Sequence, residues 1–234
     1  MRIPLTKYGL PQVVVVPGSI LAVMVLVALG AAKFAPAAVI VMVEVLLACL
    51  LVFCLAFFRD PHRVCPDDKN ILLAPADGKI TDIETIKDNN SPDAETLRIG
   101  IFLSIFNTHI NRSPCNVKVE SITYKKGQYK NALNPESSRL NESNELRLTR
   151  TDSPADKLIV KQISGAIARR IVCAAKEGQQ LSAGEKFGMI KFGSRTELYI
   201  TCGDSKYKLK CLVRQGDKVK AGLTPLVRYV QCES

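Results

Sequence analysis

The chain has no tryptophan, only two histidines and an aromatic content of 6%. Proteins that hold single-stranded nucleic acid stack bases on exposed aromatic side chains beside basic ones, and that interleaving is missing here despite a net charge of +10. His62 and His109 are too few to suggest histidine-based metal chemistry. Cysteine is not scarce, but Cys49, Cys54, Cys65, Cys115, Cys173, Cys202, Cys211 and Cys232 contain no Cys-x-x-Cys spacing. Such a set reads as reduced thiols of a cytoplasmic protein rather than a zinc site or a disulfide framework. Charge is absent from residues 10–32, and residues 34–58 hold only Glu44.

Those two stretches each exceed the roughly 20 apolar residues that cross a bilayer as a helix. Lys33, Phe34, Ala35 and Pro36 leave a tight connection, so the sequence predicts a membrane hairpin with helices at about 10–32 and 36–58. A secretory signal starting with Arg2 and Lys7 is the competing reading. Against it, the first run is long and a second follows at once. Arg2, Lys7, Arg59 and Arg63 flank the outer ends against a lone Lys33, which puts both ends of the hairpin on the cytoplasmic side. Glu44 is read as a neutral or helix-bonded carboxyl, with a functional role as the alternative. A basic domain beside a bilayer suits anionic lipid head groups.

Residues 59–234 are enough for one well-filled core. Tyr207, Leu209, Cys211 and Val213 alternate with Lys208 and Lys210, as in a half-buried strand. Similar short strands are expected at 97–103, 117–122, 146–148, 158–163 and 198–201, separated by Gly, Pro, Asn and Asp clusters. Residues 131–144 read as a loop or a short irregular helix. Glu177-Gly178-Gln179-Gln180-Leu181-Ser182-Ala183-Gly184 matches Gln215-Gly216-Asp217-Lys218-Val219-Lys220-Ala221-Gly222, a turn–strand–turn unit repeated at an offset of about 38 residues. This pattern resembles the turns of lipoyl- and biotinyl-carrier barrels. The expected fold is therefore mainly β, a duplicated barrel-sandwich-like domain behind a transmembrane helical hairpin.

The chemistry centres on Gly188-Met189-Ile190-Lys191-Phe192-Gly193-Ser194-Arg195, where strand-like residues flank a Gly-Ser pair. Gly193 allows a close approach to its carbonyl and a strained turn. Ser194 places a hydroxyl directly beside that carbonyl. A serine hydroxyl needs a base to take its proton and a partner to orient the base. The chain offers only two imidazoles for that base, His109 and His62, the latter just after the second apolar run.

Four motifs occur in order: Phe57-Phe58-Arg59-Asp60-Pro61; Ala74-Pro75-Ala76-Asp77-Gly78-Lys79-Ile80; Phe102-Leu103-Ser104-Ile105-Phe106-Asn107-Thr108-His109-Ile110-Asn111-Arg112-Ser113-Pro114; and the Gly-Ser stretch. Together they resemble the phosphatidylserine decarboxylase proenzymes in their short form. The resemblance implies self-cleavage between Gly193 and Ser194, giving a β chain of residues 1–193 and an α chain of 194–234. The Ser194 hydroxyl would attack the Gly193 carbonyl and form an ester. Elimination and loss of ammonia would then leave a pyruvoyl group, with no metal involved. That group would take the phosphatidylserine amine as a Schiff base and accept electrons as carbon dioxide leaves, as pyridoxal phosphate does elsewhere.

The same resemblance nominates His109 as the base and Asp77 as the residue that orients it. Longer members carry a second histidine where this chain has Arg112, so His109 is left to serve two tasks, or Arg112 binds the substrate carboxylate or phosphate. Asn107 is a further substrate-binding candidate. Asn141-Glu142-Ser143-Asn144 departs from the family's Asn-Glu-Arg.

Two other readings use the same residues. One is a serine hydrolase built from Asp77, His109 and Ser194, against which the Gly-x-Ser-x-Gly elbow is missing. The other is a tethered β-sandwich adaptor, which leaves the Gly-Ser stretch idle. Glu44 and the sheet edges are compatible with a homodimer.

Overall fold

The computed structural model describes residues 5–30, 35–88, 91–134, 136–166, 170–191, 193–203 and 206–232. The chain forms two compact units, Met1–His62 and Arg63–Ser234. In the first, helix α1 (Gln12–Gly30) and helix α2 (Ala37–Phe57) are each long and apolar enough to cross a bilayer. The segment before α1 returns alongside the end of α2. Thr6 N–H donates to the Phe58 carbonyl at 3.0 Å, and Leu5 bridges Arg59. Glu44 lies midway along α2. Lys33 and Phe34, in the expected connection, lie outside the described residues.

The second unit is built of β1 (Ile71–Leu73), β2 (Gly78–Asp88), β3 (Ser91–Leu103), β4 (Ile110–Arg112), β5 (Val117–Lys125), a single turn α3 (Ser137–Leu140), β6 (Ser143–Arg150), β7 (Lys157–Ile163), β8 (Ile171–Cys173), β9 (Gln180–Leu181), β10 (Lys186–Ile190), β11 (Ser194–Thr201), β12 (Tyr207–Cys211), β13 (Lys218–Val219) and β14 (Pro225–Gln231). One large sheet has the order β13-β2-β3-β11-β7-β6-β5-β9. Two small sheets have the orders β1-β14-β12 and β4-β10-β8.

The strand order carries the repeat that the sequence displays. On one side of the β11–β7 seam lie β3, β2 and β13; on the other lie β6, β5 and β9. Strand β14 is flanked by β1 and β12 as β10 is flanked by β4 and β8. The matched octapeptides supply equivalent strands, with Val219 opposite Gly78 and Leu181 opposite Val117. Their closing glycines bond equivalently, Gly222 N–H to the Ala74 carbonyl and Gly184 N–H to the Ser113 carbonyl, both at 2.9 Å.

Between the sheets, Ile99, Ile101, Val117, Val119, Leu198 and Ile200 are buried in one apolar cluster. Burying such β-branched and aliphatic side chains yields roughly 1.5–3 kcal/mol apiece before entropy is counted. Along the inner face of β11 the sequence then changes from Ile200 and Leu198 to Thr196 and Ser194, all fully buried. Polar groups in that setting need partners, and the strand start is where chemistry becomes possible.

Candidate active site

Strand β11 is central in the large sheet, paired with β3 (Ser194 opposite Leu103) and with β7 (Arg195 opposite Ile163). Alternation sends Arg195 and Ser194 to opposite faces. On its face, the buried Arg195 guanidinium donates to both Asp82 oxygens at 2.8 and 2.6 Å, to Glu197 Oε1 at 2.7 Å and to Thr81 Oγ1 at 3.0 Å. Glu197 also accepts from Ser138 Oγ at 2.7 Å and the Tyr199 hydroxyl at 2.6 Å. Burial alone would raise the Asp82 carboxyl. Hydrogen bonds from Thr81 and Arg195, with the charges of Arg195 and Arg98, outweigh it and hold the group below the usual carboxylate range. Burial and the Glu197 charge push the Tyr199 hydroxyl the other way, upward.

On the inner face, Thr196 and Gln162 of the neighbouring strand both reach Asn111. The amide of Asn111 donates to Thr196 Oγ1 at 3.0 Å, and Gln162 Nε2 donates to Asn111 Oδ1 at 2.9 Å. Asn144 continues the chain to Gln162 Oε1 at 3.1 Å. Ser194 opens this polar row, with its Oγ buried and without a hydrogen-bond partner among the described residues.

Gly193 has φ +61°, a left-handed conformation that a side chain would strain. Its N–H donates to His109 Nε2 at 3.3 Å. The other ring nitrogen, Nδ1, lies 2.9 Å from the Asn107 carbonyl. One nitrogen therefore accepts and the other donates, which is the neutral imidazole with its proton on Nδ1. Pairing explains the meeting: β4 pairs with β10, the Ile190 N–H bonds the His109 carbonyl at 3.2 Å, and Gly193 is three residues beyond the end of β10. His109 is fully buried. Asn107 is fixed in turn, its side-chain oxygen accepting from Ser104 N–H at 2.9 Å and Ser104 Oγ at 2.8 Å.

The Gly193 carbonyl lies against Gly165, where a Cβ would overlap its oxygen. Beside Gly193 is a cavity of about 300 Å³, lined also by Phe102, Ser104, Ile105, Asn131, Ala132 and Ala166. Asn141 shapes that wall. Its amide donates to the carbonyls of Lys130 and Ser164, each at 2.8 Å. Two residues before Gly193, Lys191 is buried, and desolvation, with the nearby Arg170 charge, lowers its ammonium from the usual value.

Of the residues singled out from sequence, Gly193, Ser194, His109 and Asn107 come together. Asp77 is buried and its carboxylate is gripped elsewhere, by a bidentate Arg63 (2.5 and 2.8 Å) and the Ala221 N–H at 2.8 Å. One strand, β3, separates its neighbourhood from Ser194, a distance of two strand spacings, since Lys79 pairs with Phe102 and Phe102 pairs with Arg195. That spacing is roughly 10 Å. Arg112 is buried at the joint of the repeated turns, donating to the Gly184 carbonyl at 3.0 Å, and is not among the residues lining the cavity. His62 is exposed. The sequence reading missed Gly165 and the adjacent Ser164. Ile163-Ser164-Gly165 does end an apolar strand on a serine and a glycine, but only pairing with β11 reveals what they face.

No cluster of three or more His, Cys, Asp or Glu side chains suited to a metal ion occurs among the described residues. A family model described as phosphatidylserine decarboxylase matches residues 50–226. The phosphatidylserine decarboxylase proenzyme of Gluconacetobacter diazotrophicus is 44% identical over 179 residues, which is 75% of this chain and 76% of that one. The proenzyme of the same name from Pelagibacter ubique is 41% identical over 175 residues, covering 74% and 78%. That of Carboxydothermus hydrogenoformans is 36% identical over 203 residues, covering 87% and 92%.

Proposed function

The chain belongs to the phosphatidylserine decarboxylase family, and from that premise we propose that it cuts itself between Gly193 and Ser194 and then decarboxylates phosphatidylserine to phosphatidylethanolamine. The observation that carries this reading is the contact of the Gly193 N–H with an unprotonated His109 Nε2, beside a buried Ser194 hydroxyl that has no partner among the described residues. Nε2 gives up its contact with the Gly193 N–H and takes the Ser194 proton as Oγ adds to the Gly193 carbonyl carbon. The imidazolium hands that proton to the Ser194 nitrogen as the Gly193–Ser194 C–N bond breaks, leaving an ester and a free amine. The proton on Nδ1 rests on the Asn107 carbonyl, which keeps the lone pair of Nε2 aimed at the cut.

The residues present fit a pyruvoyl group formed at position 194. The site is buried, it is next to an apolar cavity of about 300 Å³, and among the described residues no side chain bonds the serine. When formed, that group supplies a carbonyl that condenses with the substrate amine and draws off the electron pair released with carbon dioxide. Burial at the strand start favours losing a charged carboxylate and excludes water. Arg195, on the opposite face, keeps residue 194 in register after the cut.

Asp77 supports the site by another route. Its carboxylate joins Arg63 and the Ala221 amide and so fixes the end of β2. In this reading the carbonyl of Asn107, rather than Asp77, orients His109 in the precursor. Arg112 holds the turns together. The two apolar helices tether the enzyme to the membrane that contains its lipid substrate, with the catalytic unit on the cytoplasmic side.

The test is intact-mass analysis of freshly expressed protein. The expected result is two chains, 1–193 and 194–234, the smaller lighter by one ammonia and blocked at its N-terminus. A single uncut polypeptide would refute the reading.

A further inference from the structure

A second hydroxyl lies beside the one that attacks. Ser164 is fully buried, and its Oγ, like that of Ser194, has no hydrogen-bond partner among the described residues. The two are neighbours by register. Ile163 is opposite Arg195, and one step further along the antiparallel pair places Ser164 opposite Ser194. The following step is seen directly, because the Gly193 carbonyl sits against Gly165. Opposed residues of an antiparallel pair have Cα atoms about 4.5–5.5 Å apart and point their side chains to the same face. Gln162 and Thr196, two residues further into the strands, confirm that face by meeting at Asn111.

The backbone of Ser164 is clamped on both sides, its N–H on the Glu142 carbonyl at 2.9 Å and its own carbonyl under the Asn141 amide at 2.8 Å. Only the side chain is free to turn.

We propose that Ser164 is a positioning residue for self-cleavage, donating its hydroxyl proton to Ser194 Oγ. A rotation about χ1 brings the two oxygens together and satisfies two buried hydroxyls at once. The bond also settles how Ser194 is used. Its own proton is left for His109 Nε2 once that nitrogen releases the Gly193 N–H, one lone pair accepts from Ser164, and the remaining lone pair faces the Gly193 carbonyl carbon. No bond is broken at Ser164, and its proton stays on it throughout. The inference rests on the self-cleavage reading above.

The experiment follows the appearance of the 194–234 chain by mass after synthesis of the full-length protein, with and without hydroxylamine, which cleaves esters. Ser164→Ala should slow cleavage about tenfold, the effect of losing one neutral hydrogen bond in the attacking arrangement. Hydroxylamine should not restore the rate, because the ester itself forms slowly. Ser164→Thr, which keeps the hydroxyl, should cleave faster than Ser164→Ala, and both variants should melt within a few degrees of the parent. Parent-like cleavage of Ser164→Ala overturns the proposal while leaving self-cleavage intact, as does rescue of that variant by hydroxylamine. An uncut parent protein overturns both.

Discussion

The amide of Gly193 and the Nε2 of His109 are 3.3 Å apart, with the nitrogen of the scissile segment donating to the base. That contact fixes the imidazole in the neutral form required of a proton acceptor, and it holds the ring to the residue whose carbonyl is attacked. His109→Ala should reduce the rate of chain cleavage by roughly 10²–10⁴. The precursor should accumulate as a folded full-length protein, measured by mass and by thermal melting.

Ser194→Ala removes the nucleophile and should give only full-length protein with no conversion of phosphatidylserine in detergent–lipid micelles. Ser194→Cys retains a nucleophile and should cleave slowly while forming little pyruvoyl. The two variants separate cleavage from cofactor formation in the same mass spectrum.

Gly165→Ala places a methyl group where the Gly193 carbonyl oxygen sits. The strand pairs on either side can hold the fold, so the expected loss is in processing rather than in melting temperature. A processing rate equal to the parent's would show that the carbonyl moves aside without cost.

Asp77→Asn breaks a salt bridge whose side chains are 9% and 7% exposed for Asp77 and Arg63. Removing one partner of such a buried pair costs about 3–5 kcal/mol. Urea unfolding should read that loss. The double variant Asp77→Asn with Arg63→Met should recover part of it, which a purely catalytic role of Asp77 would not.

Acid should weaken the precursor through Asp82. Its carboxyl titrates lower in the folded than in the unfolded chain, so its stabilisation is complete above the unfolded value of about 3.9 and is lost as pH falls through the lower folded value. Melting temperature against pH should fall in that acid window. Asp82→Asn should be less stable at neutral pH and should show a flatter acid limb.

Much of this architecture was legible in the residues. The two apolar runs became α1 and α2, which begin within two residues of the expected starts at 10 and 36. The strands expected at 117–122, 158–163 and 198–201 are the cores of β5, β7 and β11. Strand β2 was not legible because its pairing with β3 shifts between Ile80 and Asp82, which breaks the two-residue alternation that marks a strand. Strand β14 was hidden for a different reason. Leu226 and Val227 are adjacent and both fully buried, so no polar face punctuates them. At the site, Gly193, Ser194 and His109 could be named from local sequence. The partner of His109 Nδ1 could not, since a backbone carbonyl leaves no residue-type signature, and Ser164 and Gly165 acquire meaning only from long-range register.

The interleaved strand order has a consequence for the severed protein. The small fragment would contribute β11 between β3 and β7, β14 between β1 and β12, and β13 against β2. Its removal, which takes β12 as well, would split the large sheet and leave β1 alone in the second, so dilution cannot release it and parting the fragments means melting the whole domain. The cut molecule should travel as one particle in gel filtration and lose both pieces together on heating.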